Sequence, residues 1–575
     1  MIKPDFARIS RRLQAARGEI EADLVIAGGL VSNVYTGEWL LQDIALYDGV
    51  IVGLGDYSGP RLELPGRYLA PGFIDGHMHL ESSMLTPREL ARALVPLGTT
   101  TIVADPHEIA NVWGTQGLDY LLGASQGLPL DIFFMLPSCV PASSLGTSGA
   151  SLEAAQLLPY CGHSRILGLA EVMNYPGVVA GNSQILEKIA LYPKGPVDGH
   201  APLLSGKALN AYRLAGIGSD HECTELAEAQ EKLRLGFRLM IREGSLARNL
   251  ADLLPAVTQA TLRRCLLVTD DCHPEDLLNR GHLDHLLGLA VAQGLDPMAA
   301  VTMVTLNPAD YFGFKDRGAI APGMSADLVA LQDLQEFRAE KVWKQGRLVA
   351  EDGRLLPEVE LPQHPSPFAP LQIAPLEPQA FSPPVTGDLI KVIGIIPGQL
   401  LTKKLILPPP VREGHLGTDV ERDLLKLAVV ERHHRSGRVG VGLVRGFGMK
   451  RGALASTVAH DSHNLMLLGV SEEDMLTAAR HLMHLGGGLA VVAEGQVLAD
   501  LPLPVAGLLS PAPLEEVARA HGRLREAYRT LGGILDDPFM TMAFLSLEVI
   551  PALKLTDLGL VDVNRFQIVH LFGED

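Results

Sequence analysis

GFIDGHMH, residues 72–79, is the stretch on which the architecture turns. It is a short apolar run that breaks into a polar cluster. A strand buried on both faces reads this way when its last residues serve chemistry rather than packing. A helical stretch, LTPRELARALVPLG, follows, and then a second apolar run, TTTIVAD (99–105). The alternation continues through LDIFFMLP (130–137), ILGLAEV (166–172), PVDGH (196–200), AGIGSDH (215–221), FRLMIREG (237–244) and CLLVTDD (265–271). Eight such units match a (β/α)8 TIM-like barrel, which usually takes about 250 residues. The predicted class is therefore α/β, with chemistry at the C-terminal ends of the barrel strands.

On either side of the barrel the rhythm is different. ADLVIAGGLVSNVYTG and LQDIALYDGVIVGLG are apolar runs broken by Gly, Asn and Asp-Gly, and they predict hairpins. Residues 6–20 read as a peripheral helix. GAIAPGMSADLVAL and EKVWKQGRLV bring back the hairpin pattern after the barrel. We expect residues 1–70 and 316–356 to form one small composite β-sandwich domain, with the barrel at 71–315 inserted in it. Residues 357–384 hold nine prolines and predict a stiff, poorly folded linker. An additional C-terminal α+β domain is expected over 385–575.

Composition narrows the function classes. The formal net charge of −18 argues against nucleic-acid and anionic-membrane partners. The five cysteines are irregularly spaced and form no C-x-x-C, which points to a reducing cytoplasm. No apolar run is long enough to span a bilayer. The expected partner is a small-molecule substrate, and a homodimer or higher homo-oligomer is the default assembly.

His77 and His79 lie two apart on the first strand run, so both imidazoles face one side. Glu171, His200, His221 and the pair Asp270–Asp271 stand at the ends of runs four, five, six and eight. Imidazoles with carboxylates suit Zn²⁺, Mn²⁺ or Fe²⁺. A carboxylate such as Glu171 can bridge two ions about 3.5–4 Å apart. One histidine alone would read as a hydrogen-bonded structural residue; five strand ends with ligand-type residues read as a metal centre.

The segment APGFIDGHMHLESSM resembles the first barrel strand of the amidohydrolase superfamily, and GAIAPGMSADLVAL resembles its return to the β domain. HLESSM, GTTTIVADPHEIANV, GLAEVMNYPGV, LVTDDCHPEDL and RHHRSGRVGVGLVRGFGMKRGALASTVAHDSHN are similar to the adenine deaminase family within it. The resemblance implies two metal ions held by His77, His79, Glu171, His200, His221 and Asp270. It also implies Mn²⁺ or Fe²⁺ in preference to Zn²⁺, and a glutamate where many amidohydrolases carry a carboxylated lysine. The implied reaction is hydrolytic deamination of adenine to hypoxanthine and ammonia, a step of purine salvage, by hydroxide attack on C6. The alternatives are hydrolysis of a cyclic or small amide on the same barrel, and a barrel scaffold without catalysis. The H-x-E and P-C-x-x-C pattern of other nucleobase deaminases is absent.

Within this reading Asp270 is the proton shuttle, and Glu81 protonates a ring nitrogen provided that burial or nearby charge raises its pKa. Asp271 should point away and support the site, or act as a cap. Asp105, His107 and Glu108 stand at the barrel mouth, where they orient ligands or serve structure. Ser138 and Arg242 are candidate substrate contacts. His433, His434, His460 and His463 read as hydrogen-bonding residues of a lid or subunit contact, with a further metal site as the alternative. Gly486–Gly488 lack the Lys and Ser/Thr of a phosphate loop and read as a turn into a strand.

Overall fold

The first barrel strand, β1 (Phe73–Met78), is buried along its whole length. Seven further strands follow: β2 (Thr99–Ala104), β3 (Asp131–Leu136), β4 (Ile166–Val172), β5 (Val197–Gly199), β6 (Ser219–Asp220), β7 (Arg238–Arg242) and β8 (Cys265–Val268). This is a computed structural model, and it describes residues 5–573 apart from 366, 368, 369 and 398. Strands β1 to β5 pair in parallel in chain order, as do β6 to β8. The two ladders meet on both sides. Gly218 N–H donates to Val197 O at 2.8 Å, and Asp270 N–H donates to His77 O at 3.0 Å. The result is an α/β TIM-like barrel.

Inside it, Val103, Phe133, Met135, Met240, Leu266 and Val268 interdigitate as a packed core. β6 is the shortest strand, and its neighbour β5 comes very close. A Cβ on Gly199 would meet Ser219 O at 2.3 Å, so only glycine fits there.

The chain reaches β1 through strand Tyr68–Pro71. This strand pairs antiparallel with Leu328–Leu331, where the chain returns. The two belong to a seven-stranded sheet that packs against a four-stranded one, around Ile26, Leu46, Leu69, Leu328 and Trp343. One expected hairpin is corrected. Leu24–Ala27 and Leu30–Asn33 are sequential but lie in different sheets. Leu24–Ala27 pairs with Ile44–Tyr47, and Leu30–Asn33 with Glu38–Leu41. The Asp48-Gly49 turn does close a hairpin, Ile44–Tyr47 with Val50–Leu54, and both turn residues have positive φ (50° and 77°). The N-terminal helix runs over Phe6–Ala16 and is capped by the Asp5 side chain.

Beyond the small domain lies an eight-stranded, mostly antiparallel sheet. Its strands alternate cleanly. Ala428, Val430, Leu465 and Leu467 face the helix Glu472–Leu485. Leu427, Val429, Met466 and Leu468 face the other way and join one apolar cluster with the barrel-side residues Leu85 and Leu90. The proline-rich stretch is not a loose connector throughout. Ile373, Leu376 and Phe381 are buried in the core under Glu472–Leu485. Proline density sets an extended backbone, but it does not stop the apolar residues in between from docking. Among the described residues no helix is long and apolar enough to cross a membrane.

Candidate metal centre and its surroundings

Each strand end delivers its side chain to one buried spot at the barrel mouth. His77 on β1 and His79 just past its end flank Met78 in extended backbone, so their rings share a side and sit 5.1 Å apart. His79 Nε2 is 3.3 Å from Asp270 Oδ1 and 3.5 Å from Glu171 Oε1. His77 Nε2 is 3.6 Å from Asp270 Oδ1, and the His77 ring stacks on His221 at 4.1 Å. His221 Nε2 and His200 Nδ1 both lie on Glu171 Oε2, at 3.0 and 2.7 Å. Glu171 therefore stands between two groups of imidazoles.

Asp270 has φ of 58°, unusual for a residue with a Cβ. The conformation turns its side chain back across β1. Its Oδ2 accepts from Arg242 Nη1 at 2.8 Å, which leaves Oδ1 to the two histidines. Arg242 also holds Glu222, and Glu222 Oε1 lies 3.4 Å from His221 Nε2. Behind β1, the carboxyl of Asp75 accepts from the Thr269 hydroxyl at 2.5 Å and lies 3.1 Å from His282 Nε2, all of it buried.

Burial alone would push the Glu171 and Asp270 carboxyls up. His200 and His221 around Glu171, and His77, His79 and Arg242 around Asp270, outweigh it and hold both well below the usual range. The reverse holds for His79 and His221, which these carboxylates raise against burial. Positive charge is thus strongly favoured here, and a bound cation would supply it in place of protons. The donor set fits that use. Among the described residues His77 Nε2, His79 Nδ1 and His221 Nδ1 are buried and find no hydrogen-bond partner, which is costly unless something else occupies the site. Ligand atoms of His77, His79 and Asp270, and of His77, Glu171 and His221, lie within 4.8 Å of one another.

Glu81 follows His79 in a short turn, Leu80–Ser83. Its Oε1 accepts from Ile109 N–H at 3.1 Å, and its Oε2 is buried and has no partner among the described residues. Burial and the neighbouring Glu108 charge raise it to about 7. Asp105 accepts from His107 N–H at 3.1 Å and sits 3.3 Å from His107 Nδ1, the same ring nitrogen that is 3.6 Å from Glu171 Oε1. Asp271 accepts from the Ser82 hydroxyl, which ties β8 to the turn that carries Glu81.

Two expectations change. Ser138 spends its donor on the protein: its hydroxyl donates to the carbonyl of Glu171 and braces that strand end. His460 and His463 do more than hold a lid. Both rings meet Glu108, the first with Nδ1 at 2.6 Å from Oε1, and Asp461 Oδ1 lies 3.8 Å from His107 Nε2. His433 and His434 bond loop carbonyls, Ser462 O at 2.7 Å and Ser148 O at 3.0 Å. Sequence reasoning also passed over Glu222, although it directly follows a ligand-type histidine in SDHE.

The C-terminal domain also pins the loop after β3. Thr147 binds Asp557 through N–H and hydroxyl at 2.8 and 2.6 Å, and Ser143 donates to Glu548 at 2.8 Å.

Comparison with known proteins agrees across the chain. Residues 68–349 match the amidohydrolase family, and residues 399–567 match the adenine deaminase C-terminal domain. Adenine deaminase 2 of Carboxydothermus hydrogenoformans is 51% identical over 559 residues, 97% of this chain and 98% of that one. Adenine deaminases of Desulfatibacillum aliphaticivorans and Syntrophobacter fumaroxidans are each 46% identical, covering 97% and 99% of this chain and 99% and 100% of theirs.

Proposed function

Because the chain belongs to the adenine deaminase family, we propose that it hydrolyses adenine at C6, giving hypoxanthine and ammonia. The observation that carries this is the meeting of six ligand-type side chains from five strand ends, with the buried carboxylate of Glu171 among them. His77, His79, Glu171, His200, His221 and Asp270 would hold two divalent ions, with Mn²⁺ or Fe²⁺ preferred over Zn²⁺. When bound, such ions supply Lewis acidity, which makes water a competent nucleophile near neutral pH.

The remaining steps fall to the chain's own residues. An amide ion is a very poor leaving group, so the departing nitrogen needs a proton. Asp270 Oδ1 accepts one from the attacking water and passes it to that nitrogen. Arg242 holds Oδ2, so the same oxygen serves both transfers. Attack drives electron density into the purine ring. Glu81 Oε2, at a pKa of about 7, is well matched to protonate a ring nitrogen at neutral pH. His107, oriented by Asp105, steadies Glu171 and His79 from the side. Five free cysteines and no disulfide fit the reducing cytoplasm in which a salvage enzyme would work.

The test is direct. Protein from manganese-supplemented, iron-scavenged cells should convert adenine, followed by ultraviolet absorbance, with one ammonia released per adenine lost. Hydrolysis of a cyclic amide with no action on adenine would replace this reading.

A further inference from the structure

Glu108 lies on the first turn of the helix His107–Trp113, at the barrel mouth after β2. Its two oxygens are taken by two imidazoles from a C-terminal-domain loop between strands Ala453–Ser456 and Leu465–Gly469. The trio has the composition of a metal site, but its hydrogen bonds argue otherwise. Ala459 N–H donates to His463 Nδ1 at 3.1 Å, so in the neutral ring the hydrogen sits on Nε2. That nitrogen faces Glu108 as a donor and has no lone pair for a cation. His460 likewise gives Nδ1–H to Glu108 Oε1 at 2.6 Å, and against burial the Glu108 carboxylate raises this ring to about 9, so near neutral pH Nε2 carries a hydrogen too and acts as a donor.

What remains is His460 Nε2. It is buried and has no partner among the described residues. Its ring is firmly set. It stacks on Phe544 at 4.5 Å, its backbone N–H donates to Ala543 O at 3.1 Å, and its carbonyl accepts from the Ser546 hydroxyl at 3.0 Å. The groups around it belong to the candidate active site. Glu108 after β2 holds its Nδ1, and the next residue, Asp461, has Oδ1 3.8 Å from His107 Nε2, whose other ring nitrogen lies 3.6 Å from Glu171 Oε1. A fixed, buried donor or acceptor left unsatisfied costs about 1–3 kcal/mol, and a ligand that meets it removes that cost.

We propose that His460 belongs to the substrate pocket, and that the C-terminal domain thereby delivers Nε2 to a purine ring nitrogen other than the one served by Glu81. This deepens the deaminase reading and rests on it. It also gives the second domain a chemical reason to be fused to the barrel.

Two substitutions separate contact from scaffolding. His460→Asn keeps an amide where Nδ1 meets Glu108 and removes the distal nitrogen. His460→Gln reaches to the distal position. With metal content and melting temperature matched to wild type, H460N should lose roughly 10- to 100-fold in kcat/KM for adenine. H460Q should recover a large part of that loss. The partner on the substrate is read from 3-deazaadenine and 7-deazaadenine. Wild type should disfavour one of them by roughly tenfold or more, and H460N should lose that discrimination.

Wild-type kcat/KM in H460N overturns the proposal, as does an equal loss on adenine and both analogues. A further equivalent of manganese bound by wild type and missing from H460N also overturns it, in favour of a metal site. If wild type itself leaves adenine untouched, the deaminase reading fails and His460's role falls with it. If wild type works and H460N works equally well, only the role of His460 falls.

Discussion

Glu171 is the side chain on which the centre depends. Two histidines bind one of its oxygens, and His79 and His107 lie within 3.6 Å of the other. Glu171→Ala should therefore lose metal and activity together, measured by metal analysis and adenine turnover on the same sample. Normal metal content with full activity would take Glu171 out of the site. Glu81 makes the opposite prediction. Its Oε1 is fixed by Ile109 N–H, and its other oxygen has no structural task. Glu81→Gln should keep wild-type metal content and melting temperature while kcat falls by roughly 10²–10⁴-fold. Retained kcat would remove it as the acid. These residues were legible because each ends an apolar run and a short motif names it. Glu108 and His460 were not: they are 352 residues apart, and no periodicity links them.

Among the elements, β3 shows how the barrel is seated on the small β domain. Asp131 begins this strand and meets Lys344 and Arg317 at 2.7 Å and Arg165 at 2.8 Å. Burial would raise its carboxyl, but the three cations outweigh this and hold it well below the usual range. A carboxyl depressed in the folded state stabilises above its unfolded pKa, and that contribution is lost as pH falls below about 4. Asp131→Asn leaves Lys344 buried with Asp327 as its remaining carboxylate. It should cost on the order of 3 kcal/mol at neutral pH. In thermal melts the gap to wild type should narrow as pH drops towards 3; a gap independent of pH would rule out the ion cluster as its source. The barrel strands were readable as elements because burial on both faces gives continuous apolar runs. The partition of Leu24–Ala27 and Leu30–Asn33 into two sheets was not, because adjacency in sequence does not say which edge a strand will join. Nor did proline content show that Phe381 lies in a core.

At the scale of the molecule, barrel and C-terminal domain share apolar surface as well as a site. Leu427, Val429, Met466 and Leu468 face into the cluster that holds Leu85 and Leu90. The loop after β3 is held by Asp557 and Glu548. A chain cut to residues 1–356 should expose this face and associate through it. Size-exclusion chromatography of the truncated chain should show aggregates, and no adenine turnover. A monodisperse, active truncation would mean that the second domain is an accessory.

The strand that leads into the barrel and the strand that leads out of it lie side by side, Leu328 opposite Pro71. During translation the earlier strand emerges first and must wait for its neighbour until the whole barrel has left the ribosome. At about 5–20 residues per second, the intervening stretch takes on the order of 10–50 s. Throughout that interval the strand Tyr68–Pro71 keeps one edge unpaired and Leu69 lacks Leu328 and Trp343 from its core, which makes the nascent chain a natural client for chaperones and a slow one to release.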